Sequence, residues 1–520
     1  MPAARKKRKS SLRAATQTSR PAATSIFERH EGRIILVLCI LAGLRVLIFS
    51  AGFPFFNNVD EGAHFDLICR YSQGHVPTRL EPHSEEAGRG ISWAFTLEYL
   101  GDAVVTPQTV PLPLWHASKP EVAYAMARFM PYMRKKINHE STQPPFYYAV
   151  MAPWFKLGKL LGLDGGHLLY WLRLIDVPVY MLLVWLSYLF VKRFYARDVF
   201  LRFGVPLLLV VFPQDIFYSI NNDVFTPLLF GVSLYCLLEM YLAQSKSYGF
   251  HVLTGLAVAA TFLTKFTNLP ILLVLGIIVL LRIGRMRKEG RLREDLPRIG
   301  ALCFAAAIPI ALWLVRNHLV LGDITGTAAK LTRLGWTEKP LHLIWHHPIF
   351  TPAGMVYFWS GLMKTFWRGE FVWYNAPVAS NGVDLFYVWS TVALLLASLI
   401  GLWAYRKKNP GAEGFVSVIG FSVFILSGGF LGFLSTLYDY GRCIYPSRLH
   451  PYLTSGRLMS GALIPFVILY LKGLQTILSE IGLARARWAV LSGVVLLILI
   501  SEIVISEAPF RSFYNWYHMF

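Results

Sequence analysis

Acidic side chains are scarce in this sequence. Thirty Asp and Glu stand against 50 Lys and Arg in 520 residues, and only 15% of the chain is charged. A water-soluble protein of this length needs more polar surface, so that class is excluded. Cysteine is sparse as well. The five are Cys39, Cys69, Cys236, Cys303 and Cys443, and no CxxC or Cys/His spacing suggests a zinc site or a redox pair. Three of them lie inside apolar runs, and a disulfide between Cys69 and Cys443 stays open. No internal repeat, inverted symmetry of the transporter kind or soluble domain at either end is visible, and no cleavable signal peptide is expected, since the first apolar run is too long and too far in.

What is present is apolar. Hydrophobic residues make up 55% of the chain and the mean hydropathy is +0.47. Apolar segments of membrane-spanning length recur throughout, which predicts an all-α polytopic membrane protein. The formal net charge of +20 does not point to nucleic acid. The basic residues sit in short segments between apolar runs, which is the pattern that sets membrane topology. Residues 1–33 read as a disordered basic cytoplasmic tail and 34–520 as one transmembrane domain.

Charge then orders the spans. The first, Ile34–Phe53, follows Arg29, Arg33 and the basic tail, which puts the N-terminus in the cytoplasm and Asp60 outside. The basic loops Lys192–Arg202, Arg282–Arg298, Tyr405–Gly411 and Ala484–Arg487 should all be inside. They can be so only if Pro144–Leu163 does not cross. Its Pro-Pro start, Lys156, Lys159 and Gly-rich exit fit a re-entrant or interfacial helix. The remaining spans are about Leu169–Val191, Phe203–Ile220, Val224–Ala243, His251–Thr264, Leu269–Leu281, Ile299–Leu319, Leu385–Ala404, Phe415–Leu437, Leu458–Ile477 and Trp488–Ile505. About eleven crossings result, with long outer loops near 54–168, 320–384 and 438–457 and the aromatic C-terminal tail outside.

Several polar groups then fall on one face. "NNVDEGAHF" places Asp60, Glu61 and His64 just past the first span. They read equally well as solvated acids capping a helix and as a general base at the membrane surface. Of the two acids, Asp60 lies nearer the span. Arg173, Lys265, Arg316, Arg442, Arg448 and Arg457 are cations on the side where topology disfavours them. Singly they would be snorkelling anchors; clustered, they suit a phosphate or diphosphate. Asn222 and Asp223 sit at a tight turn, where capping explains them and a cleft-lining role is the alternative. The aromatic run Trp345–Asn375 reads as an interfacial belt or as a cover over a cleft, and the adjacent His346 and His347 are poor metal ligands because neighbours point apart. Of the mid-span charges Arg45, Asp176 and Glu239, the first two are expected to pair.

These residues, in this order, resemble the C-type (GT-C) membrane glycosyltransferases, best known from protein O-mannosyltransferases and lipid A aminoarabinose transferases. The resemblance rests on "DEGAHF" after the first span, "TQPPFYY" (Thr142–Tyr148) at the end of the first outer loop, Asn222–Asp223, "KFTNLP" from Lys265, and "GRLMSGALIPF" from Gly456. It is nearest to a bacterial group with the pattern Asp-Glu-Pro-Ala-His-Phe. The resemblance implies a GT-C-like fold and an inverting transfer of a sugar from a polyprenyl-phosphate donor to a glycan, lipid or protein acceptor. By matching position it implies Asp60 as base, with Glu61 beside it. The donor phosphate would fall on Arg457, and Gln143, Tyr147, His64, Asn222, Asp223 and Lys265 would line the site. The family's histidine before Pro-Pro is replaced by Thr142, and the nearest histidine is His139. No cofactor is implied, and a divalent metal stays open, with oxygens available on Asp60, Glu61 and Asp223. The implied setting is the outer face of a bacterial cytoplasmic membrane or the lumenal face of the endoplasmic reticulum. The competing functions are a transporter or flippase for lipid-linked sugars, which needs ionisable groups at the membrane midplane, and a non-catalytic part of a polysaccharide-assembly complex.

Overall fold

The computed structural model describes residues 29–58, 60–96, 109–243, 247–408, 411–443 and 445–519. Most of the basic tail therefore lies outside the described residues. The chain is helical almost throughout. α1 (Glu31–Gly52) carries a sequence suited to lipid. Leu36, Ile40, Leu44 and Ile48, spaced four apart, form an exposed apolar stripe, while Ala42, Gly43 and Val46 face inward. An exposed stripe of this kind is stable only where no water touches it.

Past the turn at Asp60 come α2 (Glu61–Ser72), α3 (Glu85–Ala94) and α4 (Lys119–Met133). Ser84 caps α3 through its side chain, and a Ser118/Glu121 capping box starts α4. α5 (Phe146–Leu160) and α6 (Gly165–Arg173) fold back on each other. Trp154 and Trp171 stack at 4.0 Å and each indole N–H donates to the other's carbonyl, at 2.7 and 2.8 Å. α5 has 15 residues and turns back at Gly162, so the segment read as non-crossing is a short helix in a hairpin.

α7 (Asp176–Phe194), α8 (Val199–Val210), α9 (Thr226–Leu242), α10 (Tyr248–Thr264), α11 (Pro270–Lys288) and α12 (Leu292–Leu321) follow. α13 (Ala328–Leu334) and α14 (Pro352–Arg368) lie in the second long loop. α15 (Asn381–Lys408), α16 (Ala412–Leu437), α17 (Leu463–Glu480), α18 (Arg487–Ile505) and α19 (Glu507–Arg511) complete the chain. Among the described residues, nine helical stretches are long and apolar enough to cross a membrane, and α8 and α10 are shorter apolar helices. Each overlaps one of the eleven apolar runs read from the sequence, but the run expected as a span over Phe203–Ile220 is α-helical only to Val210 and ends in a turn and the short helix Asp215–Tyr218. The protein is an all-α polytopic membrane protein.

Close helix crossings depend on glycine at two positions. A Cβ at Gly255 would lie 2.3 Å from the Leu302 carbonyl oxygen, and one at Gly473 would lie 1.8 Å from that of Leu394. These contacts bring α10 onto α12 and α15 onto α17 backbone to backbone. β1 (Thr337–Glu338) pairs antiparallel with β4 (Tyr438–Asp439), tying the second long loop to the third. A hairpin of β2 (Val372–Trp373) and β3 (Ala376–Pro377) turns through Tyr374 and Asn375, both at positive φ. The C-terminal tail packs on the first long loop: Trp115 donates to the His518 carbonyl at 3.1 Å and Tyr514 to that of Pro111 at 3.0 Å.

The charge pattern pairs Arg45 with Asp176, and the structure corrects this. Arg45 Nε lies 3.0 Å from Glu502 Oε2, and the Tyr218 hydroxyl donates to Glu502 at 2.6 Å. Arg45 faces the turn at Asp215–Tyr218 and the end of α18, which no hydropathy pattern specifies. Of the other mid-span acids, Glu239 takes two bonds from Arg193, at 2.6 and 3.1 Å.

Candidate active site

The turn after α1 sends two adjacent carboxylates in opposite directions. Asp60 occupies the N-cap position of α2, with its carbonyl accepting the first helical bonds from Ala63 and His64. Its side chain makes no capping bond. Asp60 has φ +64, in the left-handed region that Asp and Asn tolerate better than most residues. The simple reading of the Asp60 side chain as a helix cap therefore fails: its carboxylate is turned elsewhere.

It is turned into an ionic cluster. Asp60 Oδ2 accepts from Arg457 Nη2 at 3.0 Å and Oδ1 faces His139 Nε2 at 2.9 Å. Arg457 begins the helical stretch leading into α17, and all three of its nitrogens are engaged. Nη1 donates to Asp223 at 2.7 Å and Nε to Glu370 at 2.8 Å. Lys265, on the turn after α10, bonds Asp223 at 2.8 Å. Asn221, one residue outside the expected pair, does the local capping by accepting from the Asp223 N–H at 2.9 Å, so the Asp223 carboxylate is left for the cluster. Glu370, just past α14, also accepts from Ser455, and its N–H donates to Asp215 Oδ2 at 2.7 Å. Gly369 is glycine for this contact, because a Cβ there would lie 2.0 Å from the Asp215 carboxyl. Glu140 takes Lys330 of α13 and Gln143.

Buried charges persist only when paired, and in this cluster they pair with one another. Burial alone would raise the Asp60 carboxyl. The His139 hydrogen bond and the charges of Arg457, His139 and Lys330 outweigh it and hold Asp60 well below the usual carboxylate range. Burial likewise opposes the charge on His139, but Asp60 and Glu140 raise it. Lys330 brings Glu140 down to about 2 against the effect of its burial. Burial lowers Lys265 despite Asp223. Asp60 is thus ionised, with 19% of its side chain open to the surface.

His139 is held in place from α2. Asn138 donates to the Ala63 carbonyl and to Asp66 Oδ2, both at 2.9 Å. The fully buried Asp66 also accepts from Arg70 Nε and the Ser84 N–H, at 3.0 and 2.7 Å. Asp60, His139 and Glu140 bring one donor atom each within 4.8 Å of one another. A mixed oxygen–nitrogen set at that spacing suits a divalent ion, although the same residues are bonded to Arg457 and Lys330.

The other expected site residues lie outside this cluster. Glu61 is completely buried and points the opposite way. Its oxygens take the Arg173 guanidinium at 2.8 to 3.0 Å and the N–H groups of Phe56 and Ile220 at 2.7 and 2.9 Å. This carboxylate is a brace, and Arg173 is committed to it. His64 stacks near Tyr148 and shares a 2.7 Å bond between Nδ1 and the tyrosine hydroxyl. Burial pushes His64 down to about 4. His64 Nε2, Tyr147 Oη and Asn222 Oδ1 are buried without partners among the described residues. Arg316 bonds the Pro77 carbonyl and lies over Trp313, away from Asp60. Arg448 pairs with Asp439 at the surface, and Arg442 is exposed. His347 binds the Pro451 carbonyl and is structural.

The sequence does not single out Glu370, Glu140 or Lys330, and His139 stands in it only as a departure from a motif. The one usable signal is a Gly-Glu after an amphipathic helix. Beside the cluster runs an apolar groove of about 980 Å³ between α14, α15 and α16, lined by residues such as Trp345, Phe358, Leu362, Leu396, Phe424 and Phe433. One of its walls, α14, also packs on the residue before Arg457. A Cβ at Gly456 would lie 2.1 Å from the Phe366 N and 2.5 Å from the Leu362 carbonyl oxygen, so α14 rests on the backbone next to Arg457.

Fold and site define a helical membrane protein with a buried ionic centre where its long loops meet. The chain belongs to the DUF2142 family of predicted membrane proteins, whose model matches residues 44–429. No curated protein matches it in sequence. Among solved structures it is similar to the Archaeoglobus fulgidus oligosaccharyltransferase in its apo form, with 11% identity, a TM-score of 0.43, and coverage of 94% of this chain and 56% of that one. The archaeal enzyme in complex with an inhibitory peptide and a dolichol-phosphate gives 10% identity, 0.41, and the same coverage. ArnT from Cupriavidus metallidurans bound to undecaprenyl phosphate gives 13%, 0.39, and coverage of 93% and 76%. The chain spans little more than half the length of the oligosaccharyltransferase it matches.

Proposed function

We propose that this protein is a membrane glycosyltransferase that moves a sugar from a polyprenyl-phosphate carrier to a glycan, lipid or protein acceptor. The observation that carries the reading is the meeting of Asp60 with Arg457 and His139 beside a groove suited to a hydrocarbon chain. The resemblance of "DEGAHF", "TQPPFYY" and "GRLMSGALIPF" to the GT-C enzymes supports the same reading.

Asp60 takes the proton of the acceptor group. The freed electron pair attacks the anomeric carbon from the face opposite the carrier. The bond from that carbon to the phosphate oxygen breaks, and the polyprenyl phosphate leaves with the electrons, inverting the configuration. Arg457 keeps Asp60 ionised and aimed, and His139 fixes its second oxygen. Residues 34–520 act as one unit, with the N-terminus cytoplasmic and the site on the opposite face, as the basic loops favour.

The test is transfer by purified protein in bilayers supplied with a polyprenyl-phosphate sugar, together with mass spectrometry of lipid that co-purifies. Sugar-bearing polyprenyl phosphate bound to the wild type, and lost sugar transfer in Asp60→Asn, are the expected results. Full transfer by Asp60→Asn would show that Asp60 is not the base.

A further inference from the structure

The cations around Asp60 differ in how far each is committed. Arg457 has its three nitrogens on three carboxylates, and its side chain is 6% exposed. Lys265 lies 2.8 Å from each oxygen of Asp223 and is nearly as buried. Neither has room for a phosphate without first giving up a buried carboxylate, at the cost of an uncompensated charge. The expectation that Arg457 grips the carrier phosphate therefore meets an occupied residue.

Lys330 is different. Among the described residues it bonds only Glu140, and 26% of its side chain reaches the surface. It rides on α13, a seven-residue helix with no buried residue. Gly326 and Gly335, each at φ +71, stand before and after that helix. Arg333 lies one turn beyond Lys330, so the two share a helix face. Arg333 is exposed and makes no hydrogen bond or ion pair among the described residues. The chain then enters the groove directly, since Leu341, Ile344 and Trp345 line it. One segment thus carries Lys330 at the ionic centre, an exposed Arg333 one turn on, and apolar contacts along the groove.

The geometry points to Lys330 and Arg333 as the pair that holds the phosphate of the lipid-linked donor, with the hydrocarbon tail in the groove and the sugar turned toward Asp60. This assignment rests on the glycosyltransferase reading. A phosphate takes over Lys330 from Glu140, and the arginine fork supplies the directed donors that a lysine lacks. The buried Glu140 that Lys330 gives up keeps Gln143 and lies 3.4 Å from His139, so its charge is not left alone. Left-handed glycines on both sides let α13 adjust without moving the buried cluster.

The experiment uses full-length protein in nanodiscs, titrated by native mass spectrometry with undecaprenyl phosphate, undecaprenol and inorganic phosphate. The proteins are the wild type, Arg333→Ala and Lys330→Ala/Arg333→Ala. The double variant should bind undecaprenyl phosphate roughly tenfold or more weakly and undecaprenol unchanged, because charge-assisted bonds to the headgroup are lost. Arg333→Ala, a surface change with no contact to lose, should give a smaller loss of the same kind. Unchanged affinity for undecaprenyl phosphate in both variants overturns the assignment. So does a wild type that binds undecaprenol as tightly as its phosphate, although that outcome leaves the lipid groove standing. Inorganic phosphate that displaces the lipid at equal concentration makes the ligand a free phosphate and overturns the lipid-linked assignment. A wild type that binds neither lipid overturns the glycosyltransferase reading itself, and this assignment with it.

Discussion

Arg457 Nη2 lies 3.0 Å from Asp60 Oδ2 although the two residues are 397 positions apart in the chain. The contact joins the end of the first membrane-length helix to the head of the tenth of the eleven apolar helices. It makes Asp60 part of a charge network and not of a helix cap, and most of the expected behaviour of the protein follows from it.

Asp60→Asn keeps the shape of the side chain and tolerates the left-handed backbone, but it cannot accept a proton. Sugar transfer should fall by roughly 10²–10⁴-fold. Expression and binding of undecaprenyl phosphate should persist, as read by fluorescence-detected size exclusion and native mass spectrometry.

Arg457→Ala should act on folding as well as on activity. It leaves Asp60, Asp223 and Glu370 without their shared cation. A loss of about 3–5 kcal/mol is expected for removing one partner of a buried pair. Thermal unfolding in detergent measures it, and a melting temperature equal to that of the wild type would show the network to be incidental.

Glu61 and Arg173 should behave as one unit. Removing either alone leaves a buried charge and should destabilise the protein by about 3–5 kcal/mol. The pair Glu61→Gln with Arg173→Met should lose clearly less than the sum of the single losses, since neither charge is then left alone. Additive losses in thermal unfolding would mean that the two side chains do not act together.

His64 supplies a pH dependence. Burial lowers its folded pKa to about 4 from the ordinary 6.5, so the unfolded chain binds its proton first as pH falls. Its contribution to stability is complete above pH 6.5 and is lost between there and about 4. At about 1.4 kcal/mol per pKa unit the loss is at most a few kcal/mol. His64→Phe should flatten the fall in melting temperature between pH 7 and 5. An unchanged slope would place the acid sensitivity elsewhere.

Much of this molecule is legible in its sequence, for identifiable reasons. Apolar runs of span length have to become helices, and the basic loops order them. Asp60, Asp223, Lys265 and Arg457 can be found because each stands at the end of an apolar run, where a charge is conspicuous. Glu61 reads from the sequence as a partner in chemistry, because adjacency does not reveal that a left-handed residue sends the next side chain the other way. Arg45 is matched to the wrong acid because hydropathy does not tell which helices share a face. Glu370, Glu140 and Lys330 lie in segments with no period to read, and only tertiary packing gathers them.

The groove beside the centre has a kinetic consequence. Leu396 and Phe433 in its lining remain more than half exposed on helices of membrane length. On the proposed function, a lipid-carried donor therefore reaches the groove sideways, by diffusion in two dimensions, without crossing water. Its supply is set by its mole fraction in the bilayer, so diluting the protein in vesicle suspension at a fixed lipid-to-protein ratio should leave the rate per molecule unchanged.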